Sequence, residues 1–207
     1  MPISIPLLYG ITDRQLMPGL QLLQKAEAAL KGGLGWLQYR NKFDDYNHRK
    51  HEAESLLRLC NRYNAKLIIN DDLHLAVAIG AHGVHLGQDD AHATNARAQL
   101  GTSAIIGVTC HADLSLALAA RDAGADYVAF GRFYPSTTKP GASAAPLDIL
   151  TRARQQLELP IVAIGGIDPG NAAEVLAAGA HSLAVCSSLF DCPDPEARTK
   201  AFIECAN

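Results

Sequence analysis

In the run Trp36-Leu37-Gln38-Tyr39-Arg40-Asn41-Lys42, one amide and two cations recur at every second position: Gln38, Arg40 and Lys42. In an extended chain these three share a face with Trp36, while Leu37 and Tyr39 take the other. An arginine in a strand buried on both faces is costly without a partner. The row therefore reads as anion-binding heads gathered toward one strand end, with solvated end charges as the plainer reading. The next two apolar runs end in carboxylates, Ile68-Ile69-Asn70-Asp71-Asp72 and His85-Leu86-Gly87-Gln88-Asp89-Asp90. Hard oxygen ligands of this kind suit Mg2+, which takes one or two carboxylates, keeps several waters and binds substrate phosphate. Helix capping by Asp71, Asp72 or Asp90 competes with that reading, because each lies just before a helical stretch. Carboxylates on one side and cations on the other would together hold a polyphosphate.

Further groups fall at the ends of later apolar runs. Ile164-Gly165-Gly166-Ile167 and Cys186-Ser187-Ser188 offer backbone N–H groups for a phosphate, with a simple tight turn as the alternative for the glycine pair. Pro135-Ser136-Thr137-Thr138-Lys139-Pro140 packs hydroxyls and a cation into a span that could close over a phosphorylated substrate or be a solvated turn. Thr109-Cys110-His111 ends another run; His111 could be an acid, a base or a polar cap. Cys110 has no evident base to activate it as a nucleophile. His85, inside a run, reads as a hydrogen-bonded structural residue, and the other histidines lack metal-ligand spacing.

The elements that would position these groups alternate along the whole chain. Strands are predicted at Leu7–Thr12, Gly35–Lys42, Ala65–Asp71, Gly83–Gly87, Ala104–Thr109, Asp126–Gly131, Pro160–Gly165 and His181–Ser187, each followed by a helical stretch. The clearest helix is Asn47–Arg62, with Ala53, Leu56, Leu57 and Cys60 at helical spacing; others are Gly19–Leu30, Asp113–Ala123, Pro146–Leu157 and Pro169–Ala178. Glycine closes several units, in Lys31-Gly32-Gly33, Ile79-Gly80-Ala81, Ala123-Gly124-Ala125 and Ala178-Gly179-Ala180. Eight even units without a hairpin signal require parallel pairing, hence an α/β fold. A doubly wound open sheet is the alternative, but it rarely needs eight units of such even length, so a (β/α)8 TIM barrel over residues 1–207 as one domain is expected, with active groups at the C-terminal strand ends. The least regular stretch is Arg132–Ala145.

Composition narrows the partners. The 207 residues are 48% hydrophobic and 19% charged, with 18 Lys and Arg against 21 Asp and Glu, a net charge of -3. That balance offers no broad attraction to nucleic acid or to an anionic membrane. The five cysteines (Cys60, Cys110, Cys186, Cys192 and Cys205) are scattered and odd in number, which favours reduced thiols in a cytoplasmic protein over a disulfide framework. No apolar run approaches a membrane span, and no secretory leader is evident.

Taken in order, Gln38-Tyr39-Arg40-Asn41-Lys42, Asn70-Asp71, Gly83-Val84-His85-Leu86-Gly87-Gln88-Asp89-Asp90, Gly107-Val108-Thr109-Cys110-His111, the Ser136–Lys139 loop and Ala163-Ile164-Gly165-Gly166-Ile167 resemble the thiamine phosphate synthase family across essentially the whole chain. The resemblance implies that a hydroxymethylpyrimidine diphosphate and a thiazole phosphate are joined to give thiamine phosphate and pyrophosphate. It implies that Gln38, Arg40, Lys42 and Asn70 hold the pyrimidine diphosphate, that Asp71 and Asp90 bind Mg2+, and that Thr109 faces the pyrimidine. Ser136, Thr137 and Thr138 would meet the thiazole phosphate together with Gly166, Cys186 and Ser187, and Lys139 would lie near the diphosphate. Arg40, Lys42, Lys139 and Thr109 are the implied catalytic set. Relative to the commonest family form, Thr109-Cys110 replaces Ser-Thr, Ser136 replaces Thr, Asp89 replaces Glu and Cys186 replaces Val; none of these removes a charge the reaction needs. A thiazole tautomerase of a sister family and a non-catalytic phosphate-binding barrel are the competing readings.

Overall fold

The computed structural model describes residues 3–42, 45–90, 92–135 and 144–205. Short runs of branched and aromatic residues form eight strands: β1 (Leu8–Ile11), β2 (Trp36–Tyr39), β3 (Lys66–Asn70), β4 (Gly83–Leu86), β5 (Ile105–Thr109), β6 (Tyr127–Gly131), β7 (Ile161–Ile164) and β8 (Ser182–Val185). All neighbours pair in parallel and β8 returns to β1, with Leu8 opposite Leu183, so the barrel is closed. The helices between them are α1 (Gln21–Lys31), α2 (Tyr46–Arg62), α3 (Leu73–Ile79), α4 (Ala93–Leu100), α5 (Leu114–Asp122), α6 (Asp148–Gln156) and α7 (Ala172–Ala177). After β8 come a short α8 (Ser187–Phe190) and α9 (Pro195–Glu204), which packs against α1. The (β/α)8 expectation is met.

Parallel strands buried on both faces need two apolar surfaces, and the strands supply two separate clusters. The larger lies between strands and helices and includes Leu37, Tyr39, Leu67, Ile69, Val84, Val108, Phe130 and Leu183. The smaller fills the barrel itself with Tyr9, Trp36, Ile68, Ile105, Tyr127, Val162 and their neighbours. The period-two reading of β2 therefore holds: Trp36 faces inward, and Leu37 and Tyr39 face the helices. Aromatic rings crowd the interior, with Tyr9 edge-on to Trp36 at 5.5 Å and His85 stacked on Tyr127 at 5.6 Å.

Local signals set the boundaries. α2 begins one residue earlier than expected because the Asp45 carboxylate caps the N–H groups of Asn47 (2.9 Å) and His48 (3.1 Å). Its buried stripe is Ala53, Leu56, Leu59 and Cys60, so Leu59 takes the place expected for Leu57. Asp113 caps α5 and Asp148 opens α6, as acids near a helix start should. No helix among the described residues is long and apolar enough to cross a membrane.

Candidate active site

The strand ends bring most of the expected residues to one mouth. Gln38 sits deepest: it is only 2% exposed, and its amide Nε2 donates to the Tyr9 hydroxyl at 2.8 Å. It is therefore a barrel-interior residue rather than one of three heads at the rim, a correction to the simple row, because β2 still runs inside the barrel at that register. Arg40 lies two residues further out, with its Nη1 3.8 Å from Asp13 and its backbone N–H donating to Thr12 Oγ1 at 2.9 Å. Lys42 reaches across to the end of β3, where its Nζ is 2.7 Å from Asp71 Oδ2. Tyr39, on the opposite face, donates to Glu52 of α2 at 2.6 Å, and Asn41 donates to the same carboxylate at 3.2 Å.

The three candidate carboxylates divide by geometry. Asp72 is the cap: its Oδ1 accepts the Leu75 N–H at 2.9 Å and its Oδ2 accepts Arg49 Nη1 at 2.7 Å. Asp71 is held in a left-handed backbone conformation, φ 61°, with its N–H on the His85 carbonyl at 2.8 Å. Its carboxyl lies beside that of Asp90, whose Oδ2 accepts the Gly87 N–H at 2.7 Å. Burial works to raise the Asp71 carboxyl, but Lys42, Asp90 and Asn70 outweigh it and hold the group below the usual range. Asp90 moves the other way, pushed up by burial and then by its contact with Asp71. Two carboxylates are thus kept adjacent in spite of their repulsion.

This donor set fits a hard divalent cation. Among the described residues no cluster of three or more His, Cys, Asp and Glu could hold a metal by itself. Two adjacent carboxylates would leave the remaining positions to water and substrate phosphate, the coordination that Mg2+ favours.

Thr109 stands at the end of β5, part-buried, with Oγ1 2.8 Å from His85 Nε2. The Gln88 amide donates to the Thr109 carbonyl. Cys110 behind it is buried, and burial pushes its thiol up to about 12. Such a thiol is inert at neutral pH. His111 is exposed, and its carbonyl accepts the Gly131 N–H at 2.9 Å.

At the ends of β7 and β8 the backbone turns tightly. Gly166 has φ 68°, and a Cβ there would lie 2.5 Å from the Pro135 carbonyl oxygen, so only glycine lets the two loops approach. Ser188 Oγ donates to the Ile167 carbonyl at 2.6 Å and ties this turn to α8, which starts at Ser187 directly after Cys186. Cys186 is partly buried against the barrel interior. Ser136, Thr137, Thr138 and Lys139 lie outside the described residues. Sequence reasoning missed Tyr9 and Tyr127, which look like ordinary core aromatics and reveal themselves only through the partners of their hydroxyls.

A closed parallel barrel with cations, paired carboxylates and glycine turns at its C-terminal mouth is the architecture of a (β/α)8-barrel enzyme. The family model described as thiamine monophosphate synthase matches residues 8–189, and the chain belongs to that family. It is 53% identical over 193 residues to the thiamine-phosphate synthase of Thioalkalivibrio sulfidiphilus, covering 93% of this chain and 92% of that protein. It is 52% identical over 202 residues to the thiamine-phosphate synthase of Nitrosococcus oceani, covering 98% and 93%. Among solved structures, the thiamine phosphate pyrophosphorylase from Pyrococcus furiosus superposes with a TM-score of 0.87 at 32% identity, covering 96% of this chain and 94% of that one.

Proposed function

We propose that this protein joins 4-amino-2-methyl-5-hydroxymethylpyrimidine diphosphate to 4-methyl-5-(2-phosphoethyl)thiazole, giving thiamine phosphate and pyrophosphate. The observation that carries this reading is the Asp71–Asp90 pair beside Lys42, with Arg40 on the neighbouring strand end. A diphosphate leaving group needs its growing charge neutralised where it stands, and preoriented cations do this without reorganising. Arg40 and Lys42 would hold the diphosphate with Asn70, and Asp71 and Asp90 would hold Mg2+. When bound, the metal supplies further charge neutralisation to the departing oxygens. Gln38 and Thr109 would orient the pyrimidine, whose electron-rich ring supports a cation at the exocyclic carbon as the C–O bond breaks. The thiazole nitrogen then forms the new C–N bond at that carbon. Gly166, Cys186 and Ser187, with Ser136, Thr137 and Thr138, would hold the thiazole phosphate, and Lys139 would add its charge to the diphosphate. No protein nucleophile is needed, in keeping with the buried Cys110 thiol.

A tautomerase has no use for a carboxylate pair facing cations, which sets that reading second. The deciding experiment incubates the protein with both substrates, with and without Mg2+, and follows pyrophosphate. Metal-dependent release matched by thiamine phosphate is expected; proton exchange on the thiazole without pyrophosphate would overturn the reading.

A further inference from the structure

A continuous polar chain crosses the barrel interior. Gln38 Nε2 donates to the Tyr9 hydroxyl at 2.8 Å. The Tyr9 and Tyr127 hydroxyls are 3.0 Å apart, Tyr127 Oη is 2.9 Å from His85 Nδ1, and His85 Nε2 is 2.8 Å from Thr109 Oγ1. The chain joins two of the residues proposed to meet the pyrimidine through three that lie beneath it.

One assignment of hydrogens, with His85 neutral, gives each donor along this chain from Gln38 to His85 an acceptor within it. Burial raises both phenols well above their ordinary range, so each keeps its single hydrogen. Tyr9 accepts from Gln38. In the assignment we adopt, it passes its own hydrogen to Tyr127, and Tyr127 passes its hydrogen to His85 Nδ1, across contacts whose distances suit either direction. A neutral imidazole that accepts at Nδ1 carries its hydrogen on Nε2. That hydrogen goes to Thr109 Oγ1, which leaves the threonine hydroxyl with its own hydrogen to give. The barrel is shaped for this chain: Gly107 lies in register between His85 and Tyr127, and a Cβ there would fall 2.0 Å from Tyr127 Cζ.

We propose that Tyr9, Tyr127 and His85 form a polarity relay that fixes His85 as the Nε2–H tautomer and thereby commits Thr109 to donate to an acceptor nitrogen of the aminopyrimidine ring. The identity of that ring rests on the proposed function; the tautomer does not. Tyr9, Tyr127 and His85 are positioning residues, since they act through Thr109.

Two measurements test the relay. Long-range 1H–15N NMR of the substrate-free wild-type protein at neutral pH, with His85 assigned by its loss in His85→Asn, is expected to show the Nε2–H form. An Nδ1–H or doubly protonated ring overturns the proposal. In kinetics, Tyr127→Phe is expected to lower kcat/KM for the pyrimidine diphosphate about tenfold, the scale of one lost hydrogen bond, and to leave KM for the thiazole phosphate unmoved. In a Thr109→Ala background the same change should cost nothing further, because the relay then ends on no donor. Equal losses in both backgrounds would make Tyr127 a packing residue and overturn the relay. Should Tyr127→Phe fail to fold, the wild-type tautomer decides alone. A wild-type protein that releases no pyrophosphate ends the functional reading and leaves the tautomer result intact; an Nδ1–H ring in an active enzyme ends the relay only.

Discussion

Asp71, Asp72 and Asp90 show how little residue type alone decides. All three sit just after a strand and before a helix, and only Asp72 spends its carboxylate on a helix N-terminus. The difference comes from the left-handed backbone at Asp71 and the Gly87 N–H that aims Asp90 inward, neither of which is written in a carboxylate's identity. With Asp90 in the proposed metal pair, Asp90→Asn is expected to leave the thermal transition nearly unchanged and to slow turnover about a hundredfold, the worth of roughly 3 kcal/mol of lost charge stabilisation. Near-normal turnover of the folded variant at saturating Mg2+ would refute the ligand role. Cys110→Ser is expected to retain most activity, since burial pushes the parent thiol up to about 12 and leaves no thiolate to attack at neutral pH. Loss of turnover in the folded serine variant, together with a trapped covalent substrate adduct on the parent, would reverse that assignment. The cation row was legible in the sequence as a period-two pattern. The depth of Gln38 was not, because depth depends on where a strand leaves the barrel.

At the scale of elements, strand–helix alternation was readable throughout, since apolar runs and glycine stops recur with even spacing. Boundaries shifted where a side chain captured a free N–H, as Asp45 does at α2. The connection between β6 and α6 matters most for the chemistry. Its described end, Tyr134 and Pro135, lies against Gly166, and the Tyr134 N–H donates to the Gly165 carbonyl at 3.0 Å, so this connection meets the glycine turn of the proposed thiazole phosphate site. A Lys139 that acts on the diphosphate mainly once both substrates are in place would contribute more to the chemical step than to the first binding event. Lys139→Ala is therefore expected to lower single-turnover bond cleavage strongly, while pyrimidine diphosphate affinity measured by calorimetry falls less. Affinity lost with cleavage of bound substrate unchanged would make it a simple binding charge. Both substrates together should also slow proteolysis within the stretch 132–145, and equal cleavage rates with and without them would argue against closure.

For the whole molecule, the end of the barrel opposite the active site has its own repeated device. Gly80-Ala81-His82, Gly124-Ala125-Asp126 and Gly179-Ala180-His181 lead into β4, β6 and β8. In each, the third residue clasps one residue of the preceding strand from both sides. Its backbone N–H donates to the carbonyl of Leu67 (3.1 Å), Ile106 (2.7 Å) or Ile161 (2.8 Å). Its side chain accepts the N–H of that same residue: His82 Nδ1 at 3.0 Å, Asp126 Oδ2 at 2.7 Å and His181 Nδ1 at 2.9 Å. The glycine stops were visible in the sequence; the clasp was not, because histidine and aspartate share only the ability to present an acceptor. That ability makes the two histidine clasps pH-dependent, since Nδ1 accepts only when it carries no proton. Burial, then the charge of Lys66, lowers the His82 pKa, and burial, then Arg154, lowers that of His181. For a base with a folded pKa below its unfolded value of 6.5, the unfolded chain binds protons first as pH falls. The contribution is therefore complete above 6.5 and is lost as pH drops from there through the folded values. Thermal unfolding at about pH 7.5 and about pH 5.5 should show lower stability at the acid value, in the direction this linkage requires. The double variant His82→Asn/His181→Asn supplies a side-chain oxygen that can accept the same N–H without titrating, and its acid-induced loss should be smaller than that of the wild type. An equal loss in both proteins would place the acid sensitivity elsewhere in the molecule and leave the clasps as pH-independent joints.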